Sequence, residues 1–335
     1  MKFENIFKNK IWIAVPLAIL IIFLISLVGS RSYTKDFINL PLDGDYSNIV
    51  IGSKEIFLLK DGYIGRFSKE GKETKRINLP LKNGSMLGDG KTIVYFSNAN
   101  IYFLDKSGKI ISSQKLNFPI ENCVFYNNKV LAIGKNAYAI VDVEGNTLFK
   151  GFVKGRTITC DLSDNKAIIT SIIKKDENQN KVTSFIYSVD LASKKETVLT
   201  FPREVIFYNK LLEDGPVLTV SNVEARVMKD EVILGKKKTN DFKSIGANGD
   251  SIYILENDKF GVYDLALINQ KKMELKGDFS SLAISKGKVY LYNSKGFAMY
   301  ENGMIKDFIQ TEEIQDVIVN PSDIFFVHSD SVSTK

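Results

Sequence analysis

Tyr102-Phe103-Leu104-Asp105-Lys106-Ser107-Gly108-Lys109-Ile110 is answered one repeat later by Ala139-Ile140-Val141-Asp142-Val143-Glu144-Gly145-Asn146-Thr147. Each stretch is an apolar run, an Asp-x-x-Gly turn and the start of another strand. Gly takes the left-handed backbone such a turn needs, and Asp bonds to nearby backbone N–H groups. The two aspartates lie 37 residues apart, and Asp190 and Asp264 lie 74 apart, twice that spacing. Turn glycines recur at Gly71, Gly108, Gly145 and Gly303. The pentapeptide Ile38-Asn39-Leu40-Pro41-Leu42 returns as Ile77-Asn78-Leu79-Pro80-Leu81. A Lys opens a strand at Lys54, Lys91, Lys129, Lys166 and Lys288. A fixed period of this length is the mark of a solenoid, propeller or array.

Within one repeat the chain reads as four short strands: Thr92–Phe96, Ile101–Asp105, Lys109–Leu116 and Cys123–Tyr126. They are rich in Ile, Val, Tyr and Phe, and turn residues separate them. Four strands per repeat is one blade of an all-β propeller. Residues 31–335, less an insertion of about 11 revealed by the 48-residue gap from Asp142 to Asp190, hold close to eight repeats. An eight-bladed propeller is therefore predicted, with a seven-bladed ring as the alternative. The last blade is split between residues 35–52 and 323–335. In this reading 35–42 is its third strand, 48–52 its outer strand, Ile324–His328 its inner strand and Val332–Lys335 its second. Joining the termini in one blade removes exposed sheet edges.

Ahead of the repeats, Ile11–Val28 carries no charge. Eighteen such residues span about 27 Å as a helix, close to the thickness of a hydrocarbon core. Lys2, Lys8 and Lys10 precede it, and short Lys-rich flanks stay cytoplasmic. The expected layout is a cytoplasmic tail at 1–10, a transmembrane helix at 11–29 and an extracytoplasmic propeller at 30–335.

The repeats resemble the eight-bladed quinoprotein-like (PQQ-like) propellers. More closely, the chain is similar to a bacterial single-pass membrane family that carries such a propeller outside the membrane. The two Asp-x-x-Gly stretches carry that resemblance. It implies an architecture and says little about activity.

Composition narrows the chemistry. The net charge of +6, from 45 basic and 39 acidic residues among 335, is too small for a dedicated nucleic-acid binder. The chain has one Trp, one His and two Cys. Quinone-cofactor enzymes of this fold stack the cofactor on a Trp and a ring of adjacent cysteines. Here Trp12 lies in the apolar segment and Cys123 and Cys160 are far apart in sequence. No cofactor, metal site or catalytic residue is expected. A Ser–His–Asp triad would have to use His328, which falls in a closing strand, and no Gly-x-Ser-x-Gly elbow exists. Cys123 and Cys160, read as outer-strand positions of neighbouring blades, are expected to be unbridged packing residues.

Two groups stand out. Lys54, Lys91, Lys129, Lys166 and Lys288 are expected on the face nearest the membrane, where anionic lipid would attract them. The insertion containing Lys174, Lys175, Asp176 and Glu177 is expected to project from the opposite face as a partner loop. The functional expectation is a non-enzymatic protein-binding or scaffold module at the cell envelope, with an envelope or membrane protein as partner. The alternatives are a glycan- or peptide-processing enzyme using channel carboxylates, and a ligand sensor signalling through a membrane partner.

Overall fold

Apolar runs of five or six residues, such as Thr92–Ser97 and Lys129–Ile133, are too short for helices and rich in β-branched and aromatic residues. They form strands that are buried along nearly their whole length. The computed structural model describes residues 36–38, 46–52, 55–68, 70–174, 182–213, 215–238, 242–285, 287–306, 308–319, 324–329 and 331–334. Residues 11–29, Lys54, Lys175, Asp176 and Glu177 lie outside the described residues. Among the described residues no helix is long and apolar enough to cross a membrane.

The strands make eight antiparallel sheets, the blades of one propeller. Blades 1 to 7 cover residues 48–78, 85–115, 122–152, 156–202, 206–238, 242–274 and 281–310. Blade 8 joins Asp316–Val319, Ile324–Val327 and Val332–Thr334 from the end of the chain to Asp36–Ile38 from its beginning. In blade 7 the outer strand is broken into Met304–Ile305 and Ile309–Gln310, both paired with Gly296–Glu301.

Eight apolar clusters lie between the sheets, one at each seam. The seam of blades 1 and 2, for example, packs Phe57, Leu59 and Ile64 against Ile93, Tyr95 and Leu104. Full burial of one such side chain stabilises by about 1.5–3 kcal/mol before chain entropy is counted. The Asp-x-x-Gly motif joins the third strand to the outer one. Asp105 Oδ1 accepts N–H bonds from Ser107 (2.8 Å) and Lys109 (3.0 Å), and Gly108 sits at φ 80°. A Cβ at Gly108 would lie 2.3 Å from Ile77 of blade 1, so the turn also needs the space that glycine leaves.

The strand phase differs from the sequence reading by one place. The strands nearest the axis, where successive sheets approach each other, are Asn48–Ile51, Ser85–Gly88, Asn122–Tyr126 and their equivalents. Thr92–Ser97 is thus a second strand, and the strand holding Cys123 opens blade 3 instead of closing blade 2. Likewise Asn48–Ile51 opens blade 1, and Asp36–Ile38 is the outer strand of blade 8. The reason is physical. The inner strand borders an open channel, so only part of it is covered, as in Asn122–Tyr126. The second strand is covered by sheets on both faces and by strands on both edges. It is therefore the most apolar, and apolarity alone makes it read as innermost.

Cys123 and Cys160 consequently lie on inner strands, not outer ones. Each thiol packs in a different seam, Cys123 between blades 2 and 3 and Cys160 between blades 3 and 4. They are unbridged because they serve different cores. Burial raises both thiol pKa values, that of Cys160 to about 12, so neither is a ready thiolate.

Candidate functional site: the mouth of the channel

In a four-stranded antiparallel blade, the inner-to-second and third-to-outer turns share one face, here called the upper face. The turn glycines and the described strand-opening lysines both lie there. So does the start of Asp36–Ile38, because Asp36 pairs with Thr334 and Ile38 with Val332. The one-place phase error moved lysines and chain start together, so their shared face is unchanged.

On the upper face the inner strands end around the axis and form two adjoining hollows. One, of 460 Å³, is bordered by Asp89, Phe125, Asn248, Ser285 and Val319, drawn from blades 2, 3, 6, 7 and 8. The other, of 590 Å³, spreads over blades 3 to 6 and contains Asp161, Asp164, Asp190, Glu213 and Asp230 with Lys166 and Lys210. Tyr126, Lys210 and Asn248 border both. A broad, shallow, polar mouth results.

Several of its carboxylates are tied into the rim. Asp164 accepts two bonds from Asn127 Nδ2 (2.9 and 3.0 Å) and one from Lys129 (3.4 Å). Those bonds, Asn127 first, hold its carboxyl below the ordinary carboxylate range. Asn127 and Asp164 are 37 residues apart, so one repeat's turn grips the next. Asp161 accepts the Leu211 N–H (2.7 Å) and pairs with Lys210 at 3.1 Å, stitching blade 4 to blade 5. Asn48 Oδ1 to Met86 N–H (3.1 Å) and Ser244 Oγ to Leu282 N–H (3.2 Å) do the same for blades 1–2 and 6–7. Inner strands of different blades share no ladder, so side chains satisfy their edges. Asp190 is lowered mainly by the Ser193 backbone N–H. Asp89 holds its own turn through Lys91 and Thr92 N–H, both at 2.9 Å.

Lys91, Lys129, Lys166 and Lys288 all fall at inner-to-second turns of the upper face. Three of the four are ion-paired: Lys129 with Asp164, Lys166 with Asp230 at 3.8 Å and Lys288 with Glu301 at 3.4 Å. These three lysines thus each have an acidic partner at the rim. Sequence reading found the lysines but missed the Asx residues two places before three of them, Asp89, Asn127 and Asp164. That Asx-x-Lys spacing was the available signal, and it is ordinary turn chemistry. Lys174 ends the second strand of blade 4, exposed, on the opposite face.

His328 is fully buried beside the closing strand. Its Nε2 meets Ser333 Oγ at 2.9 Å and its Nδ1 meets the Glu313 carbonyl at 3.1 Å. The pair touches neither hollow and acts as a strand tie. Among the described residues no group of three or more His, Cys, Asp or Glu side chains is placed to hold a metal ion.

No family model and no curated protein matches this sequence. Solved structures do. The chain is similar to Sqt1 of Saccharomyces cerevisiae at 12% identity, with a TM-score of 0.60 over 86% of this chain and 95% of that one. It is similar to BamB of Moraxella catarrhalis at 10% identity, with a TM-score of 0.58 over 86% of this chain and 95% of that one. The WD40 domain of Neurospora crassa Pan2 matches at 9% identity and a TM-score of 0.50, over 87% of this chain and 88% of that one. At such identities the likeness is one of fold: the chain is an all-β propeller of eight four-stranded blades.

Proposed function

We propose that this chain is a non-enzymatic protein-binding or scaffold propeller, held at a cell membrane by residues 11–29. The N-terminus is cytoplasmic and the ring extracytoplasmic. The observation that carries the reading is the mouth of the channel. It is a wide polar surface, its turns locked from blade to blade by Asn127–Asp164 and Asp161–Lys210. Rigid, prearranged hydrogen-bonding groups on a broad concavity suit a protein surface, because little ordering entropy is lost on binding. The uncharged run at 11–28 and its Lys-rich flank support the tether.

A photo-crosslinking residue at Asn248, carried by the full chain in intact cells, tests this. A discrete adduct from position 248, weakened when Asn127→Ala and Asp164→Ala loosen the rim, is the expected result. Absence of any adduct at 248, with adducts elsewhere on the ring, overturns it.

A second reading draws on the same place. Five carboxylates border the larger hollow, the kind of cluster a glycan- or peptide-processing enzyme would use. Against it, Asp164 and Asp190 are shifted downward, the wrong direction for a general acid near neutral pH. Asp161→Asn and Asp230→Asn that abolish turnover of an envelope glycan or peptide would favour the enzyme.

A further inference from the structure

Among the large apolar side chains exposed in the described residues, the four most open are Phe152 (73%), Met304 (68%), Val232 (62%) and Ile268 (62%). Three of them share one structural address. Val232 in blade 5, Ile268 in blade 6 and Met304 in blade 7 each stand at the upper-face beginning of the outer strand. Ile233 and Leu234 extend the first of these. In the other blades whose outer strand begins with a described side chain, it opens on Glu73, Thr147 or Lys195, or, in blade 2, on Ile110 (44%) and Ile111 (50%), both less exposed than the three tips.

The three tips belong to consecutive blades that touch near the rim. A Cβ at Gly235 would lie 2.2 Å from the backbone of Ala266, so the blade 5 strand presses against the blade 6 turn. Lys271 Nζ donates to the Gly303 carbonyl, joining blade 6 to the blade 7 turn. Charge beside the tips is of both signs, with exposed Lys229 and Glu231 next to Val232. Lys166 pairs with Asp230, Lys306 pairs with Glu301, and Asp264 accepts the Ile268 N–H at 2.9 Å.

The next outer strand around the ring is Asp36–Ile38 of blade 8, whose first residue occupies the same upper-face address. Only seven residues separate it from Val28, where the uncharged run ends. Seven residues reach at most about 25 Å. Whatever surrounds residues 11–28 is therefore close to the upper face at blade 8, which adjoins blade 7.

We infer that the blade 5–7 rim is a bilayer contact, with Val232, Ile268 and Met304 seated at the boundary between headgroups and acyl chains. The mixed charge makes the contact an apolar one, independent of anionic lipid, and it tilts the ring toward blades 5 to 8. Apolar side chains this exposed, repeated at one address on three neighbouring blades, mark a surface that something covers. Apolar side chains at the bilayer interface gain by burial there. This inference rests on reading residues 11–29 as a membrane span.

The test uses the full chain in phosphatidylcholine vesicles doped with a nitroxide-labelled lipid. An environment-sensitive fluorophore is attached to Ile268→Cys, Ile110→Cys or Phe152→Cys, all exposed positions, with the unsubstituted chain as the blank for Cys123 and Cys160. The expected result is that the chain floats with vesicles and that the label at 268 is quenched at least about twofold, while those at 110 and 152 are not. Flotation without quenching at 268, or equal quenching at 268 and 110, overturns the rim contact and leaves the membrane span standing. Failure to float overturns the span and the contact together.

Discussion

Two seams of the ring hold together in different ways. Between blade 8, in which the two ends of the chain meet, and blade 1, Phe325, Val327 and Val332 pack on Ile51, Ile56, Leu58 and Phe67. That seam is apolar, and blade 8 itself is completed by only three cross-strand pairs, Asp36–Thr334 to Ile38–Val332. Between blades 4 and 5 the apolar cluster is smaller, and a 160 Å³ hollow opens beside Ile168, Ile186, Val217 and Met228. Polar ties compensate there. Arg226 pairs with Glu204 and Glu224, each at 2.7 Å, and lies over the Phe201 ring. Asn209 bonds to Thr170 at 2.8 Å, and Asp161 holds Leu211. The chain links blade 4 to blade 5 directly. At the 8–1 seam it passes only from the outer strand Asp36–Ile38 to Asn48–Ile51, so the other three strands of blade 8 are held to blade 1 by that strand's three pairs and by apolar packing.

The contrast is open to direct test. Phe325→Ala should have the largest effect, a loss of about 3–5 kcal/mol, read as a lower urea midpoint. An equal or smaller loss than at the 4–5 seam would end the idea that closure depends on packing.

Arg226→Met should cost about 2–3 kcal/mol, since it leaves two half-covered carboxylates without their partner. Its pH dependence has a definite sign. Arg226 holds the Glu204 carboxyl below its ordinary value. The stabilisation is complete above about pH 5 and is lost as pH falls through the depressed folded-state value. The gap between Arg226→Met and the parent protein should therefore narrow in acid. A constant gap from pH 7 to pH 3 would contradict the assignment.

Ser333→Ala removes the hydroxyl that meets His328 Nε2. It should destabilise by about 1–2 kcal/mol, less than Phe325→Ala at the same closing blade. The smallest effect belongs to the mouth. Asn127→Ala should leave the urea midpoint nearly unchanged and raise the Asp164 carboxyl toward the ordinary carboxylate range, as NMR titration would show. An unmoved Asp164 would mean that the bond between neighbouring turns is not what holds it.

The period of about 37 residues, the four strands per repeat and the meeting of the chain's ends were all legible. Each depends on local chemistry: Asp105 and Asp142 make the same turn wherever that turn sits. The eight blades followed from chain length. The upper-face placement of Lys91, Lys129, Lys166 and Lys288 was legible too, because it depends only on strand alternation. Their ion pairs were not. Lys166 meets Asp230 from 64 positions away, a contact only the curvature of the ring creates.

By itself, then, the sequence determined a repeating all-β chain and its number of repeats, because turn chemistry and strand preference are encoded within a few residues. It could not say where each repeat begins, since a periodic string has no origin. Tertiary structure decided that, by wrapping the ring around an axis and leaving one strand of every blade beside an open channel. The same wrapping brought Val232, Ile268 and Met304 to one rim, side chains that lie 36 residues apart at equivalent places in successive repeats. Their adjacency comes from stacking one blade on the next.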